Sequence, residues 1–194
     1  MARSATVRRT TKETDIRVAV KLDGVGKASV ATGFGFLDHM LTLFACFSGI
    51  DLTVKGKGDL HVDEHHLVED AGICLGQAIR KALGDRAGIV RFGFASAPMD
   101  ETLVEVSLDI SGRPFLAFNV PTIPGREGSF ETDDAREFLK GLVNHCAVTL
   151  HVTLQAGDNL HHVNEAVYKG LALAFKQAVK VEGRRTPSTK GSLD

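Results

Sequence analysis

The chain has no bulk charge, no long apolar run and no cysteine framework, and each absence removes a class of function. Its 23 Lys and Arg nearly balance 24 Asp and Glu, leaving a net charge of −1. So small a charge gives no bulk attraction to nucleic acid or to an anionic membrane, and neither is expected as a partner. No apolar stretch approaches the roughly 20 residues of a membrane-spanning helix. The segment Met1-Ala2-Arg3-Ser4-Ala5-Thr6 lacks the apolar core of a secretion signal. Cys46, Cys74 and Cys146 are odd in number and widely spaced, which points to a reduced, cytoplasmic setting rather than a disulfide scaffold. All three read as small buried hydrophobes. Walker-type and Gly-x-Gly-x-x-Gly loops are absent, as is any recognisable Ser-His-Asp or Cys-His context.

What is present is repetition. Asp63-Glu64-His65-His66-Leu67-Val68-Glu69-Asp70 returns as Asn159-Leu160-His161-His162-Val163-Asn164-Glu165-Ala166, each copy following a Gly-Asp pair, Gly58-Asp59 or Gly157-Asp158. Glu13-Thr14-Asp15-Ile16-Arg17-Val18 returns as Glu101-Thr102-Leu103-Val104-Glu105-Val106. Phe36-Leu37-Asp38-His39-Met40-Leu41 has a looser echo in Ala135-Arg136-Glu137-Phe138-Leu139-Lys140, which sets His39 opposite Glu137. The chain therefore divides into a first repeat, 1–88, a second repeat, 89–182, and a polar tail, 183–194, within one compact unit. Two copies mean duplication; a solenoid needs more copies at a shorter period.

Each repeat reads as strands with two helices. Ile16, Val18, Val20 and Leu22 alternate with polar or small residues, as in a half-buried strand, and 27–32 is expected to return as its hairpin partner. Leu37, Met40, Leu41, Phe44 and Phe47 recur at helical spacing. Leu52 and Val54 mark a short strand. Asp63 is expected to cap a helix running to Leu83, where Gly84 ends it. The second repeat predicts strands near 89–96, 103–110 and 114–120, a helix from Asp133 or Asp134 to Cys146, a strand at 148–154 and a helix over 160–181. Each helix carries one apolar stripe, so an α+β arrangement with the helices on one face of each sheet is the economical one. The tail does not read as core.

The His-His-x-x-Glu pairs carry the chemistry. On a helix, residues four apart lie roughly 40° apart around the axis and neighbours roughly 100° apart. His65 shares a face with Glu69, and His161 with Glu165, while His66 and His162 point elsewhere. Two ions with three ligands each result if His66 and His162 cross over. His39 and Glu137 supply one further ligand per site. The donors are nitrogen and oxygen without sulfur, so manganese, iron, nickel, cobalt and zinc all fit. His61, His145 and His151 have no duplicate and read as packing or hydrogen-bonding groups. Glu13 and Glu101 head matching strands, either as exposed strand-end carboxylates or as proton carriers beside the metals. Arg91, Arg113, Lys169 and the run Arg184-Arg185-Thr186-Pro187-Ser188-Thr189-Lys190 are candidate phosphate ligands.

Together, Phe36-Leu37-Asp38-His39-Met40-Leu41, the two His-His-x-x-Glu motifs and Pro187-Ser188-Thr189-Lys190-Gly191 closely resemble the imidazoleglycerol-phosphate dehydratase family of histidine biosynthesis, over essentially the whole chain. The resemblance implies a duplicated fold of the ribosomal-protein-S5-domain-2 type: two four-stranded sheets, each with two helices, packed helices inward. It implies a homo-oligomer of 24 subunits with two Mn²⁺ per active site, at subunit contacts. It implies a hydro-lyase that converts D-erythro-imidazoleglycerol phosphate to imidazole-acetol phosphate and water, through a substrate imidazolate held between the metals. By the same resemblance His39, His65, His66, Glu69, Glu137, His161, His162 and Glu165 are metal ligands and Glu13 is the acid–base group. Arg91, Arg113, Lys169, Ser188 and Lys190 would hold the phosphate of a small-molecule substrate. Glu137 stands where many members carry histidine, and its harder oxygen tilts selectivity toward manganese. Phe47 stands where a histidine is often found. A metal-binding shell protein without activity, or a dimetal phosphate-ester hydrolase, would share part of this pattern.

Overall fold

The computed structural model describes residues 2–193. The first repeat supplies β1 (Ser4–Thr10), β2 (Thr14–Lys21), β3 (Ala28–Ala31), α1 (Gly35–Ser48), β4 (Asp51–Gly58) and α2 (His65–Leu83). The second supplies β5 (Phe92–Met99), β6 (Thr102–Asp109), β7 (Phe115–Asn119), α3 (Thr132–Cys146), β8 (Thr149–Ala156) and α4 (Leu160–Ala178). The two four-stranded sheets have the same strand order, β1-β2-β4-β3 and β5-β6-β8-β7. In both, the third strand of the sequence pairs parallel to the fourth while the other neighbours are antiparallel. Helix α2 packs on β1 and β2 and against α3; α4 packs on β5 and β6 and against α1. The fold is thus a duplicated α+β arrangement with its helices inward, and one buried cluster runs through both repeats.

Several elements differ from the sequence reading. Residues 27–32 are not the hairpin partner of β2. That partner is β1, with Val7 opposite Val18, a strand whose polar run Thr6-Val7-Arg8-Arg9-Thr10 gave little alternation to read. Residues Ala28–Ala31 instead lie parallel to β4, a pairing that requires the intervening helix α1 as a crossover. Strand β5 starts at Phe92 rather than near Ile89, because Arg91 sits at φ 78° and Ile89 bridges to Val181. The same bridge pulls 179–181 out of α4, which ends at Ala178. Helix α2 starts at His65 without a side-chain cap of N-cap type, although Asp63 Oδ1 accepts the His65 N–H at 3.1 Å. Cys46 is exposed, contrary to the reading of all three cysteines as buried. Burial does push the thiols of Cys74 and Cys146 up, to about 11 and about 12. The tail is not all solvent-facing either: Leu193 is buried in the core cluster and its carbonyl accepts from Arg86.

Helices α2 and α3 cross at glycine contacts. A methyl group on Gly72 would stand 2.2 Å from the Phe138 carbonyl oxygen, and one on Gly76 2.5 Å from that of Leu142. From the opposite side, one on Gly141 would meet the Glu69 carbonyl at 2.8 Å. Close approach here sets how near the two repeats stand, and with it where the N-termini of α2 and α3 present their side chains.

Candidate metal centre

Helix α1 carries His39 and α4 carries His161 and Glu165, so the α1–α4 contact brings a candidate ligand of the first repeat to two of the second. His39 Nε2 lies 3.0 Å and His161 Nε2 3.1 Å from the same oxygen, Glu165 Oε1. One ligand atom from each of the three residues lies within 4.8 Å of the others. Glu165 is almost buried. Burial alone would raise its carboxyl, but hydrogen bonds from Lys169 and His39, with the Lys169 charge and His161, outweigh that and hold it down to about 2. The group is therefore a carboxylate with two imidazole nitrogens facing it. This donor set and spacing fit a divalent first-row ion.

The neighbouring histidines diverge as the helix geometry predicts. The ring planes of His65 and His66 are inclined at 82°, and those of His161 and His162 at 86°. His162 Nδ1 faces Glu101 Oε2 at 2.8 Å and its Nε2 lies 3.8 Å from Asp100, which makes Asp100–Glu101–His162 a second set of potential ligands. His66 Nδ1 lies 3.2 Å from Asp59 Oδ2 and 3.8 Å from Glu13 Oε2. The imidazole of His66 is raised by Asp59, and that of His162 by Glu101. Asp59 and Asp100 were missed in the sequence, though both adjoin repeated residues, the Gly-Asp turn and the Glu-Thr strand.

His65, Glu69 and Glu137, the counterparts of His161, Glu165 and His39, are not gathered into a comparable cluster among the described residues. Glu137 pairs with Lys140 at 2.9 Å instead. Nor does any hydrogen bond or ion pair join Glu13 or His66 to the His39–His161–Glu165 cluster among the described residues. Glu13 is exposed at the start of β2, in a recess it shares with Thr11, Asp59 and His61. His61 is thus exposed beside Glu13, not a packing group, whereas His145 bonds the Gly141 carbonyl at 2.9 Å and His151 packs on Phe115. Behind Glu13, buried Asp70 accepts from Arg9 Nε at 2.6 Å and from the Thr14 hydroxyl, tying α2 to β1 and β2.

The phosphate candidates divide. Arg91, Arg113, Ser188 and Lys190 line one recess of about 490 Å³ with Pro187 and Thr189. Arg91 is fixed there by Asp109 at 2.7 Å and by the Pro187 carbonyl at 2.8 Å. Arg113 has no carboxylate partner among the described residues; its guanidinium reaches only the Ser111 carbonyl, at 3.3 Å. Lys169 stands apart from this recess, bonded to Glu165 and lying 6.0 Å over the Phe47 ring.

Comparison with known proteins converges on one family. The family description Imidazoleglycerol-phosphate dehydratase (IGPD) matches residues 32–175. Similar curated proteins include the imidazoleglycerol-phosphate dehydratase of Methylorubrum populi, 52% identical over 98% of this chain and 100% of its own length. That of Azorhizobium caulinodans is 54% identical over 98% of both. Among solved structures, the Staphylococcus aureus enzyme superposes with TM-score 0.83 at 36% identity, over 92% of this chain and 99% of its own. The Pyrococcus furiosus IGPD in complex with (S)-C348 gives 0.85 at 43%, over 96% and 100%. The chain belongs to the imidazoleglycerol-phosphate dehydratase family, hydro-lyases of histidine biosynthesis.

Proposed function

We propose that the protein dehydrates D-erythro-imidazoleglycerol phosphate to imidazole-acetol phosphate with two Mn²⁺ per active site. The observation that carries this is the His39–His161–Glu165 cluster, an N,N,O donor set drawn from both repeats of a chain that belongs to the family. The reaction is difficult because the proton at C2 of the glycerol chain has no adjoining carbonyl to acidify it. When bound, Mn²⁺ supplies Lewis-acid character that favours the deprotonated substrate ring and orients it. His39, His161 and Glu165 hold one ion, with the carboxylate already ionised by its surroundings. His65, Glu69 and Glu137 would hold the other, and His66 and His162 would complete the two sites from neighbouring subunits.

Glu13 is the acid–base group at the C2 proton. It is exposed, and its strand is held by the Thr14–Asp70 bond immediately beside it. Arg91, Arg113, Ser188 and Lys190 take the substrate phosphate, Arg113 contributing a guanidinium with no carboxylate to release first among the described residues. Lys169, bonded to Glu165 in this chain, would be a further cation for the substrate phosphate. Among the described residues no hydrogen bond or ion pair joins Glu13 or His66 to the three-residue cluster of their own chain, which supports a site shared between subunits of a homo-oligomer, for which 24 copies is the family-type assembly. No helix among the described residues is long and apolar enough to cross a membrane; the proposed location is the cytoplasm, in keeping with the family's biosynthetic role.

The deciding experiment is turnover of D-erythro-imidazoleglycerol phosphate by metal-stripped protein with and without added Mn²⁺, alongside its mass in solution. Product restored by Mn²⁺ in a large assembly supports the reading. A fully metallated, assembled protein that yields no product overturns it.

A further inference from the structure

His161 has two ring nitrogens, and only one faces Glu165. Nε2 lies 3.1 Å from Glu165 Oε1, while Nδ1 is turned the other way, 3.4 Å from Glu127 Oε2. Glu127 belongs to the connection 120–131 between β7 and α3 and lies outside every repeated motif. Its position is nonetheless well supported. The Glu127 N–H donates to the Phe130 carbonyl at 2.9 Å and the Phe130 N–H donates back at 3.1 Å. Phe130 is fully buried, its ring 4.9 Å from that of Phe36 and 6.0 Å from that of Phe34. Phe36 in turn stands edge-on to His161 at 5.4 Å. On the far side, Arg126 pairs with Glu131 at 2.6 Å, and Glu131 forms a capping box with Asp134 at the start of α3. The loop therefore has an apolar foot beside the ligand ring and a carboxylate over its outer nitrogen.

We propose that Glu127 is a positioning residue for the metal ligand His161. A histidine that gives one nitrogen to a cation carries its proton on the other, and a carboxylate accepting that proton fixes the tautomer, orients the ring and makes the ligating nitrogen more basic. The corresponding connection of the first repeat, between β3 and α1, spans only 32–34, and His65 has no ion pair among the described residues. The device thus belongs to one of the two sites, and the two ions are held with unequal strength. This inference rests on the metal reading of His39, His161 and Glu165.

The test is Mn²⁺ titration of the metal-stripped full-length protein, followed by the electron paramagnetic resonance signal of free Mn²⁺, for wild type, Glu127→Ala and Glu127→Gln. Glu127→Ala is expected to weaken one class of sites about tenfold and leave the other unchanged. Glu127→Gln, which keeps an oxygen acceptor without the charge, is expected to fall between. The thermal midpoint of metal-free protein should not move. Should Glu127→Ala lower that midpoint, Glu127→Gln decides: more than twofold weaker supports the role, within twofold overturns it. Both variants within twofold of wild type also overturn it. Wild type that binds no Mn²⁺ would instead remove the metal reading itself, a separate result from a wild type that binds and a Glu127→Ala protein that binds equally well.

Discussion

The Glu101 carboxylate lies 2.8 Å from Nδ1 of His162. The first repeat places Glu13 in the same relation to His66, at 3.8 Å. The duplication has thus kept an acid beside the second histidine of each motif, but the two pairs are not equally closed. Glu101 is engaged with His162 and with the Thr102 hydroxyl. Glu13 is looser, because Asp59 takes the His66 nitrogen first, at 3.2 Å. An acid that must exchange a proton with substrate is better served by the looser arrangement. Glu13→Gln is therefore expected to lower turnover by about 10²- to 10⁴-fold while metal content and assembly mass stay at wild-type values. Near-normal turnover would remove Glu13 from the chemistry.

The same pairs set a pH dependence in the metal-free protein. His162 is raised by Glu101, and His66 by Asp59. For a group raised on folding, the stabilisation is complete below its unfolded value, about 6.5, and is lost as pH rises through the folded one. Imidazole resonances followed by NMR should titrate above that value for both residues. Glu101→Gln should bring His162 down without moving His66. A His162 titration unaffected by Glu101→Gln would contradict the pairing.

Arg113, like Lys190, has no carboxylate partner among the described residues of the tail recess, whereas Arg91 is locked to Asp109. Arg113→Ala should raise KM for the phosphate substrate by about 10- to 100-fold, equivalent to losing one charge-assisted interaction of about 1.5–3 kcal/mol. Mn²⁺ content should not change. A KM within twofold of wild type would place the phosphate elsewhere.

At the α2–α3 crossing, Gly72→Ala would put a methyl group 2.2 Å from the Phe138 carbonyl oxygen. That oxygen is backbone and cannot swing aside, so the helices must separate. A loss of about 1–3 kcal/mol is expected, read from denaturant midpoints of metal-free protein. Gly84→Ala makes a useful contrast: nothing lies within 4 Å of its added methyl, and any cost comes from its φ of 58°. Equal stability of Gly72→Ala and wild type would mean the crossing is softer than its geometry.

Much of the fold was legible because burial leaves periodic marks. Alternation through Ile16, Val18 and Val20 and the helical spacing of Leu37, Met40, Leu41 and Phe44 reflect faces turned to the core. Strand β1 left no such mark, since its side chains are largely solvent-facing and only its pairing with β2 makes it a strand. The start of β5 depends on one left-handed residue, Arg91, and on a bridge between Ile89 and Val181, neither of which has a local signature. In the site, His39, His161 and Glu165 were readable because duplication marked them. Glu127 and Asp100 were not, since proximity alone brings them to their histidines.

The three-ligand cluster takes His39 from the first repeat and His161 with Glu165 from the second. Neither repeat is therefore a smaller edition of the whole. A half-length ancestor carrying one histidine helix and one His-His-x-x-Glu helix would have had the ligands but no way to join them within a single molecule. By the proposed metal reading, such a half would have needed a second copy of itself to gather three ligands. Joined in one chain, the two halves bring these residues together without a second molecule, and each half is free to differ from the other. Glu137 in the place opposite His39, and the longer connection that brings Glu127 to His161 alone, are the traces of that freedom.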